Sequence, residues 1–443
     1  MKRFKVFLFN SLLMIIGSLL LQVIRLVFGI YISNKISTEA LGVFGLIMTT
    51  YMFGITLAAS GVNISCTRVI SEEMAFGNDY AIKMSSRKCI TIAMILSILA
   101  SSLFYFNADF IVTTFFESKV SVNIVYLICI ALPLISISAA LDGYFMAVRR
   151  VYKSVIADFI EQTSKVISII ILFSIYLPFG TLEGISFALI LGDVISELVS
   201  FIFLIFAYLF DIKYHFSSSR SNMEEAFVFR ILRILIPVAF TSYIRSGIST
   251  VKQLIIPSSL KKSGCSTESA LSNYGIISGM AIPIVMFPAS ILSTVSGILI
   301  PEFSRYHVKE DYHKIREYSD KLIIGSFLFA CLITVFFWIF GDILAISIYN
   351  NTSVGPYIKV FSALIPFMYV DIIIDNILKG LDAQTDIMII NIIDLVVTTS
   401  FIFFFVPILG LKGYIVSIFI SEILNLSLSL NRLFKVQNGF EKN

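Results

Sequence analysis

Four cationic side chains lie deep inside long apolar runs of this 443-residue chain: Arg25, Lys165, Arg245 and Lys252. A charge at the bilayer centre costs about 2.5–3.5 kcal/mol on insertion scales, so such residues must face protein or water and mark candidate function. Ser242, Arg245, Ser246, Ser249, Lys252 and Gln253 are spaced by threes, fours and sevens, which puts them on one helical stripe. Ser11, Ser18, Gln22 and Arg25 repeat that stripe in the first apolar run. The planar fork of an arginine matches phosphate oxygens in pairs. Arg25, Arg245 and Lys252, with Gln22, Ser242 and Ser249, are therefore a candidate site for an anionic diphosphate headgroup. The structural alternative is that the two arginines cap carbonyls or pair with acids to lock helices.

The acids within or beside the runs are Asp142, Asp158, Glu161, Asp193, Glu197, Asp371, Asp375, Asp394 and Glu422. Glu161 and Lys165 stand four apart, so an intrahelical ion pair is expected there. Asp193 and Glu422 lie within runs and occupy duplicated positions, as do Glu161 with Asp394 and Asp142 with Asp375. These six are candidates for proton or sodium coupling, with hydrogen-bonded helix packing as the alternative.

Other chemistry is poorly supplied. Cys66, Cys89, Cys129, Cys265 and Cys331 show no paired or metal-like spacing and read as small packing residues. His215, His307 and His313 fall in polar connectors, so no histidine metal or catalytic cluster is expected. No G-x-x-x-x-G-K loop occurs, and the longest polar stretch, Glu302 to Lys321, is too short for a nucleotide-binding domain. That stretch mixes acids with bases and reads as a solvated connector, not a nucleic-acid site. No Asp-rich metal motif supports an integral-membrane glycosyl- or phosphotransferase. No cofactor, resident metal or enzymatic activity is expected.

The elements that must position these residues are membrane helices. Hydrophobic residues make up 57% of the chain and charged residues 14%, against roughly 25% charged in soluble domains. Apolar runs of about 20 residues, continuous and not alternating, exclude barrel strands. Twelve spans are expected, at 7–32, 40–65, 88–113, 122–147, 154–178, 183–210, 231–257, 272–300, 321–346, 356–381, 385–408 and 413–434. The first exceeds the core of a cleavable signal, about 7–15 residues, and is expected to stay as helix 1. Of the 33 lysines and arginines, 23 fall at one set of span ends and connectors, and six at the other. That asymmetry predicts a multi-pass cell-membrane protein with both termini cytoplasmic. Pro237, Pro283 and Pro288 are expected to bend spans 7 and 8.

An internal repeat organises the chain. Residues 40–45 (ALGVFG) match 270–275 (ALSNYG) at an offset of 230, and Glu72 meets Glu302 at the same offset. Pro133, Asp142 and Glu161 match Pro366, Asp375 and Asp394 at 233; Gly184 and Asp193 match Gly413 and Glu422 at 229. Ordered matches with so little drift argue for duplication. Six spans per repeat give both halves the same orientation, about an axis along the membrane normal. The expected layout is a six-helix lobe at 1–210, a cytoplasmic linker at 211–225, a second six-helix lobe at 226–434 and a tail at 435–443. Gly42, Gly45 and Gly275 are expected to permit close helix approach.

The segments 25–45 (RLVFGIYISNKISTEALGVFG), 233–257 (RILIPVAFTSYIRSGISTVKQLIIP) and 270–303 (ALSNYGIISGMAIPIVMFPASILSTVSGILIPEF) resemble the multidrug/oligosaccharidyl-lipid/polysaccharide (MOP) exporter superfamily, as do Asp142-Gly143-Tyr144 and Ile160-Glu161-Gln162. The likeness covers nearly the whole chain. It implies an all-α, two-lobed MATE/MOP-like transporter, a flippase of a lipid-linked peptidoglycan or polysaccharide precursor, linked to spore cell-wall synthesis. In MurJ-related flippases cavity arginines engage the lipid-linked diphosphate, and Arg25 and Arg245 look like the matching positions. Those members carry two helices more than the twelve spans expected here. Expected partners are the lipid-linked saccharide, membrane lipids and a proton or sodium ion, with no nucleic acid. An ion-coupled multidrug exporter of the same superfamily is the alternative; Arg25, Arg245 and Lys252 count against it.

Overall fold

The computed structural model describes residues 2–116, 118–215 and 227–440, and every regular element among them is helical. The first half holds α1 (Lys2–Lys35), α2 (Thr38–Ala59), α3 (Val62–Phe76), α4 (Asp79–Phe106), α5 (Ala108–Phe115), α6 (Asn123–Ala147), α7 (Tyr152–Tyr176) and α8 (Leu182–His215). The second holds α9 (Phe227–Lys262), α10 (Thr267–Gly275), a π-helical turn at Ile276–Ala281, α11 (Ile282–Met286) and α12 (Ala289–Val308). It continues with α13 (Tyr312–Tyr349), α14 (Gly355–Ser362), α15 (Ile365–Gly380), α16 (Gln384–Leu409) and α17 (Leu411–Phe440).

Among the described residues ten segments are long and apolar enough to cross a membrane, and the α14/α15 pair, bent by 56°, makes eleven. Twelve are expected from the apolar runs, and the difference is α7. Its 25 residues suffice to span about 30 Å of hydrocarbon, but Asp158, Glu161 and Lys165 interrupt its apolar stretch. Span 8 is broken where Pro283 and Pro288 were expected to bend it: the π-helical turn precedes α11, and Phe287 and Pro288 separate α11 from α12. By contrast α9 runs through Pro237 without interruption.

Local chemistry fixes the ends. Asn78 caps α4 by accepting from the Ala81 N–H at 3.1 Å, and Ser266 caps α10 through Ser269 N–H at 3.2 Å. Asp311 caps α13, and the Lys314 ammonium 3.0 Å away holds its carboxyl below the usual carboxylate range. The break between α2 and α3 falls at Gly61, with φ of 78°. A β-carbon there would lie 3.1 Å from the Leu235 carbonyl oxygen, so the turn and the neighbouring α9 both demand glycine.

The chain forms two compact units, one of residues 1–25 and 46–250, the other of 26–45 and 251–443. Within the first unit, α7 packs on α8, α4 on α6, α6 on α8 and α3 on α6. Val69, Ile70, Ile82, Tyr144 and Phe145 sit in its core. Within the second, α16 packs on α17, and α15 on α12, α13 and α17. Phe303, Ile373, Ile374, Ile377 and Leu378 lie in its core. These units differ from a division at the expected linker, of which 216–225 lie outside the described residues. The start of α9 groups with the first unit because Tyr243 donates to the Leu57 carbonyl at 3.0 Å and Ser246 to Thr56 at 3.1 Å. The start of α2 groups with the second because it packs against α10: the backbone of Gly42 meets that of Leu271, and Gly275 meets Thr38 and Gly42, with no room for a β-carbon. The close approach expected of Gly42 and Gly275 is what the structure shows.

Candidate functional site

In the first unit, α1, α6, α7 and α8 bring together much of what the sequence nominated. Lys165 does not pair with Glu161 one turn earlier on α7. Its Nζ lies 2.6 Å from Asp193 Oδ1 on α8 instead, with the carboxylate 5% exposed and the lysine 24%. A helix-to-helix pair wins over the half-buried i, i+4 pair because it neutralises Asp193, the more deeply buried of the two acids. Glu161 and Glu197 lie within the electrostatic reach of Lys165. Arg25 donates from Nε to Gln162 Oε1 at 3.4 Å, a long bond to a buried amide, and its charge reaches Asp158 and Glu161 on the same face of α7. Gln22 beside it is exposed. Asp142 is half-buried beside Ser154.

The α9 stripe divides. Tyr243 and Ser246 fasten one face of the helix to α2, and Gly247 stands opposite the Phe53 ring. At 100° per residue Arg245 points away from the Tyr243 side. It is exposed, and no carboxylate lies within 4.0 Å of it among the described residues. Ser242 and Ser249 are half-buried. Lys252, next along the stripe, belongs to the second unit.

In the second unit α15, α16 and α17 gather Asp371, Asp375, Asp394 and Glu422. Both oxygens of Asp394 accept from Ser421, at 2.8 and 2.9 Å, and Oδ1 also from Thr398 at 3.1 Å. Asn425 donates to Asp371 Oδ2 at 2.9 Å. Lys379 donates to Asn376 at 3.1 Å, and Asn376 in turn donates to Ser296 at 2.5 Å. Lys252 lies in the electrostatic range of Glu422. Among the described residues no lysine, arginine or histidine nitrogen lies within 4.0 Å of any of these four acids. No three His, Cys, Asp or Glu side chains among the described residues converge as a metal cage, so a cation here would draw ligands from hydroxyls and amides too.

Several contributors escape the sequence reading. Tyr51, 3% exposed on α2, lies close enough to Asp193, Glu197 and Glu161 to feel their charge. Ser421 and Asn425 flank Glu422 on one face of α17, a spacing of four that signals a polar stripe. Two further charged clusters sit apart. Arg230 on α9 holds Glu72 at 2.8 Å and Glu73 at 2.7 Å on α3. Asp211, fully buried, pairs with Arg150 and with Lys153 at 2.7 Å, and accepts from the Tyr144 hydroxyl at 2.8 Å.

The comparisons give the lineage of this all-helical membrane chain. The fold is similar to that of a structure described as the inward-facing conformation of a multidrug resistance MATE family transporter of the MOP superfamily: the TM-score is 0.71 over 96% of each chain at 17% identity. A MOP superfamily transporter from Pyrococcus furiosus described as having a binding pocket of reverse polarity matches over 98% of this chain and 96% of its own, with a TM-score of 0.59 and 16% identity. The polysaccharide biosynthesis protein family profile matches residues 7–307, and the MatE profile 258–404. The chain therefore belongs to the polysaccharide biosynthesis protein family, and its fold is that of the MATE family transporters. It is 23% identical to stage V sporulation protein B of Bacillus subtilis (strain 168) over 92% of this chain and 79% of that one. To the sporulation protein YkvU of the same organism it is 19% identical over 68% and 66%.

Proposed function

We propose that the chain is a flippase that carries a lipid-linked saccharide, a peptidoglycan or polysaccharide precursor for the spore cell wall, across the membrane by alternating access. The observation that carries this reading is Arg245: an exposed guanidinium at the middle of a 36-residue helix, turned away from the face that packs on α2 and unclaimed by any described carboxylate. Such a group is free to take two oxygens of a diphosphate. Arg25, Lys252, Gln22, Ser242 and Ser249 complete the proposed headgroup site, with Arg25 shared between that role and Gln162. Of the six duplicated acids, Glu422, Asp394 and Asp375 are proposed to couple transport to a proton or sodium ion, with Glu161 and Asp142 as further candidates in the first unit, where Asp193 is already paired with Lys165. The second unit supports this most directly, because no lysine, arginine or histidine nitrogen lies within 4.0 Å of its four acids among the described residues, and burial of an ionised carboxylate requires a proton or cation.

A second reading, an ion-coupled multidrug exporter, draws support from the MatE match at 258–404 and from those same acids. The two are separated by substrate. Proteoliposomes given a fluorescent polyprenyl-diphosphate saccharide are expected to translocate it in a protein-dependent way, and Arg245→Ala to stop this. Translocation of a cationic dye with no movement of the lipid would favour the exporter. We further propose that the repeat forms two six-helix lobes with both termini cytoplasmic. Reporters fused at Lys213 and at the C-terminus are expected to read cytoplasmic together, and an opposite reading at either would refute that topology.

A further inference from the structure

We propose that Lys165 is a built-in counter-cation, occupying in the first unit the position that a monovalent metal cation would otherwise take beside Asp193. The inference rests on the coupling reading above and on the internal repeat. The offset of 233 that maps Glu161 to Asp394 maps Lys165 to Thr398, and Asp193 maps to Glu422. The helix pairs α7/α8 and α16/α17, each tightly packed in its own unit, carry these positions. In the first unit the position holds an ammonium, 2.6 Å from Asp193 Oδ1. In the second it holds a neutral hydroxyl, which donates to Asp394 Oδ1 at 3.1 Å, and no cationic nitrogen lies within 4.0 Å of Asp394 or Glu422 among the described residues.

The consequence is electrostatic. Lysine is a compact point charge with three donors, the side chain nearest in kind to a small cation. Asp193, 4% exposed, is neutralised from within the chain and needs no ion from solution. The other groups facing Lys165 are Glu161 on its own helix and Glu197 on α8, both acidic, with the buried Tyr51 hydroxyl of α2 near the same acids. Carboxylate and hydroxyl oxygens of this kind are what a hard monovalent or divalent cation prefers. With lysine present that set is filled; with threonine it would match its duplicate.

A purely structural strut and a counter-cation differ in one respect: an ion can replace only the latter. The test is the melting temperature of the purified full chain at constant ionic strength, exchanging sodium for N-methylglucamine, which is too large to enter. Lys165→Thr is expected to melt below wild type in N-methylglucamine and to gain a saturable rise of the order of a few degrees with sodium, beyond any rise in wild type. Lys165→Arg should show no such gain, and Lys165→Thr with Asp193→Asn should lose it. The proposal is overturned if Lys165→Thr melts alike in both salts, or fails to fold even in saturating sodium. The coupling reading fails separately, if wild type shows no response to sodium or to pH.

Discussion

Thr38 and Ser272 meet hydroxyl to hydroxyl at 2.7 Å, and the contact joins two segments that the sequence relates by repetition. Around it Gly42 and Gly275 lie backbone to backbone against α10 and α2, and Gly279 against the Leu41 side chain. Each duplicated A-L-x-x-x-G segment is thus a packing surface for the other. Small residues permit this because helix axes in a membrane gain contact only when side chains leave room for the backbones.

Gly42→Val or Gly275→Val must therefore push whole backbones apart, a cost above the roughly 1–3 kcal/mol of ordinary overpacking. Both are expected to lower the melting temperature sharply or to abolish accumulation of folded protein. Gly29→Ala and Gly325→Ala, with nothing within 4 Å of the new methyl, should be neutral or slightly stabilising. Equal tolerance at all four sites would contradict the crossing.

How far the sequence discloses this arrangement depends on the separation of the partners. The all-helical membrane class follows from the apolar runs alone, since length and continuity leave no other solution. The repeat at 40–45 and 270–275 is readable too, although nothing in it says that the two copies touch. Lys165 shows the limit most clearly. Its neighbour in sequence is Glu161, while its partner in space is Asp193, 28 positions onward, and only the packing of α7 on α8 reveals the exchange. The span itself, at 154–178, is legible in the sequence in spite of the charges it carries. The stripe on α9 reads as one surface in sequence, but Ser246 packs on α2 while Arg245 does not.

Arg230 offers a sharp contrast between buried and exposed pairing. It bridges Glu73, 3% exposed, and Glu72, 41% exposed. Arg230→Ala leaves Glu73 buried without its cation, and breaking such a pair costs on the order of 3–5 kcal/mol. Glu72→Gln should cost under about 1 kcal/mol, because Glu72 keeps water and Arg68 nearby. Combining Arg230→Met with Glu73→Met is expected to recover most of the loss. Thermal unfolding of the four proteins checks the ranking, and a larger loss from Glu72→Gln than from Arg230→Ala would reverse it.

The acids of the second unit predict a graded response. Asp394 accepts from two hydroxyls, that of Ser421 shared between its two oxygens and that of Thr398, so Asp394→Asn removes a charge and misdirects Ser421 and Thr398 together. Glu422→Gln removes a charge that lies in the range of Asp371, Asp394 and Lys252 and breaks no hydrogen bond seen among the described residues. Both are expected to abolish the dependence of transport on the proton or sodium gradient in proteoliposomes, with Asp394→Asn also lowering the melting temperature. Gradient-driven transport at the wild-type rate in both would end the assignment of coupling to these residues.

Arg245 carries the sharpest expectation. It stands 18 residues from the first residue of α9, about 27 Å at 1.5 Å per residue, and nearly as far from the last. A bilayer centred on this helix leaves Arg245 far from both headgroup layers, so its charge has to be met inside the protein or by substrate. Lysine keeps that charge but loses the paired donors, which makes the exchange non-conservative at a diphosphate. Losing one charge-assisted hydrogen bond costs about 1.5–3 kcal/mol, a 10- to 100-fold loss in order of magnitude. Arg245→Ala is therefore expected to cut lipid-saccharide translocation at least that far without changing the melting temperature, and Arg245→Lys to fall between. Arg25→Ala should lose transport and some stability together, because Gln162 and the acids of α7 lose a partner as well. Wild-type translocation by the Arg25→Ala, Arg245→Ala double variant, at normal membrane levels, would return both arginines to a structural role.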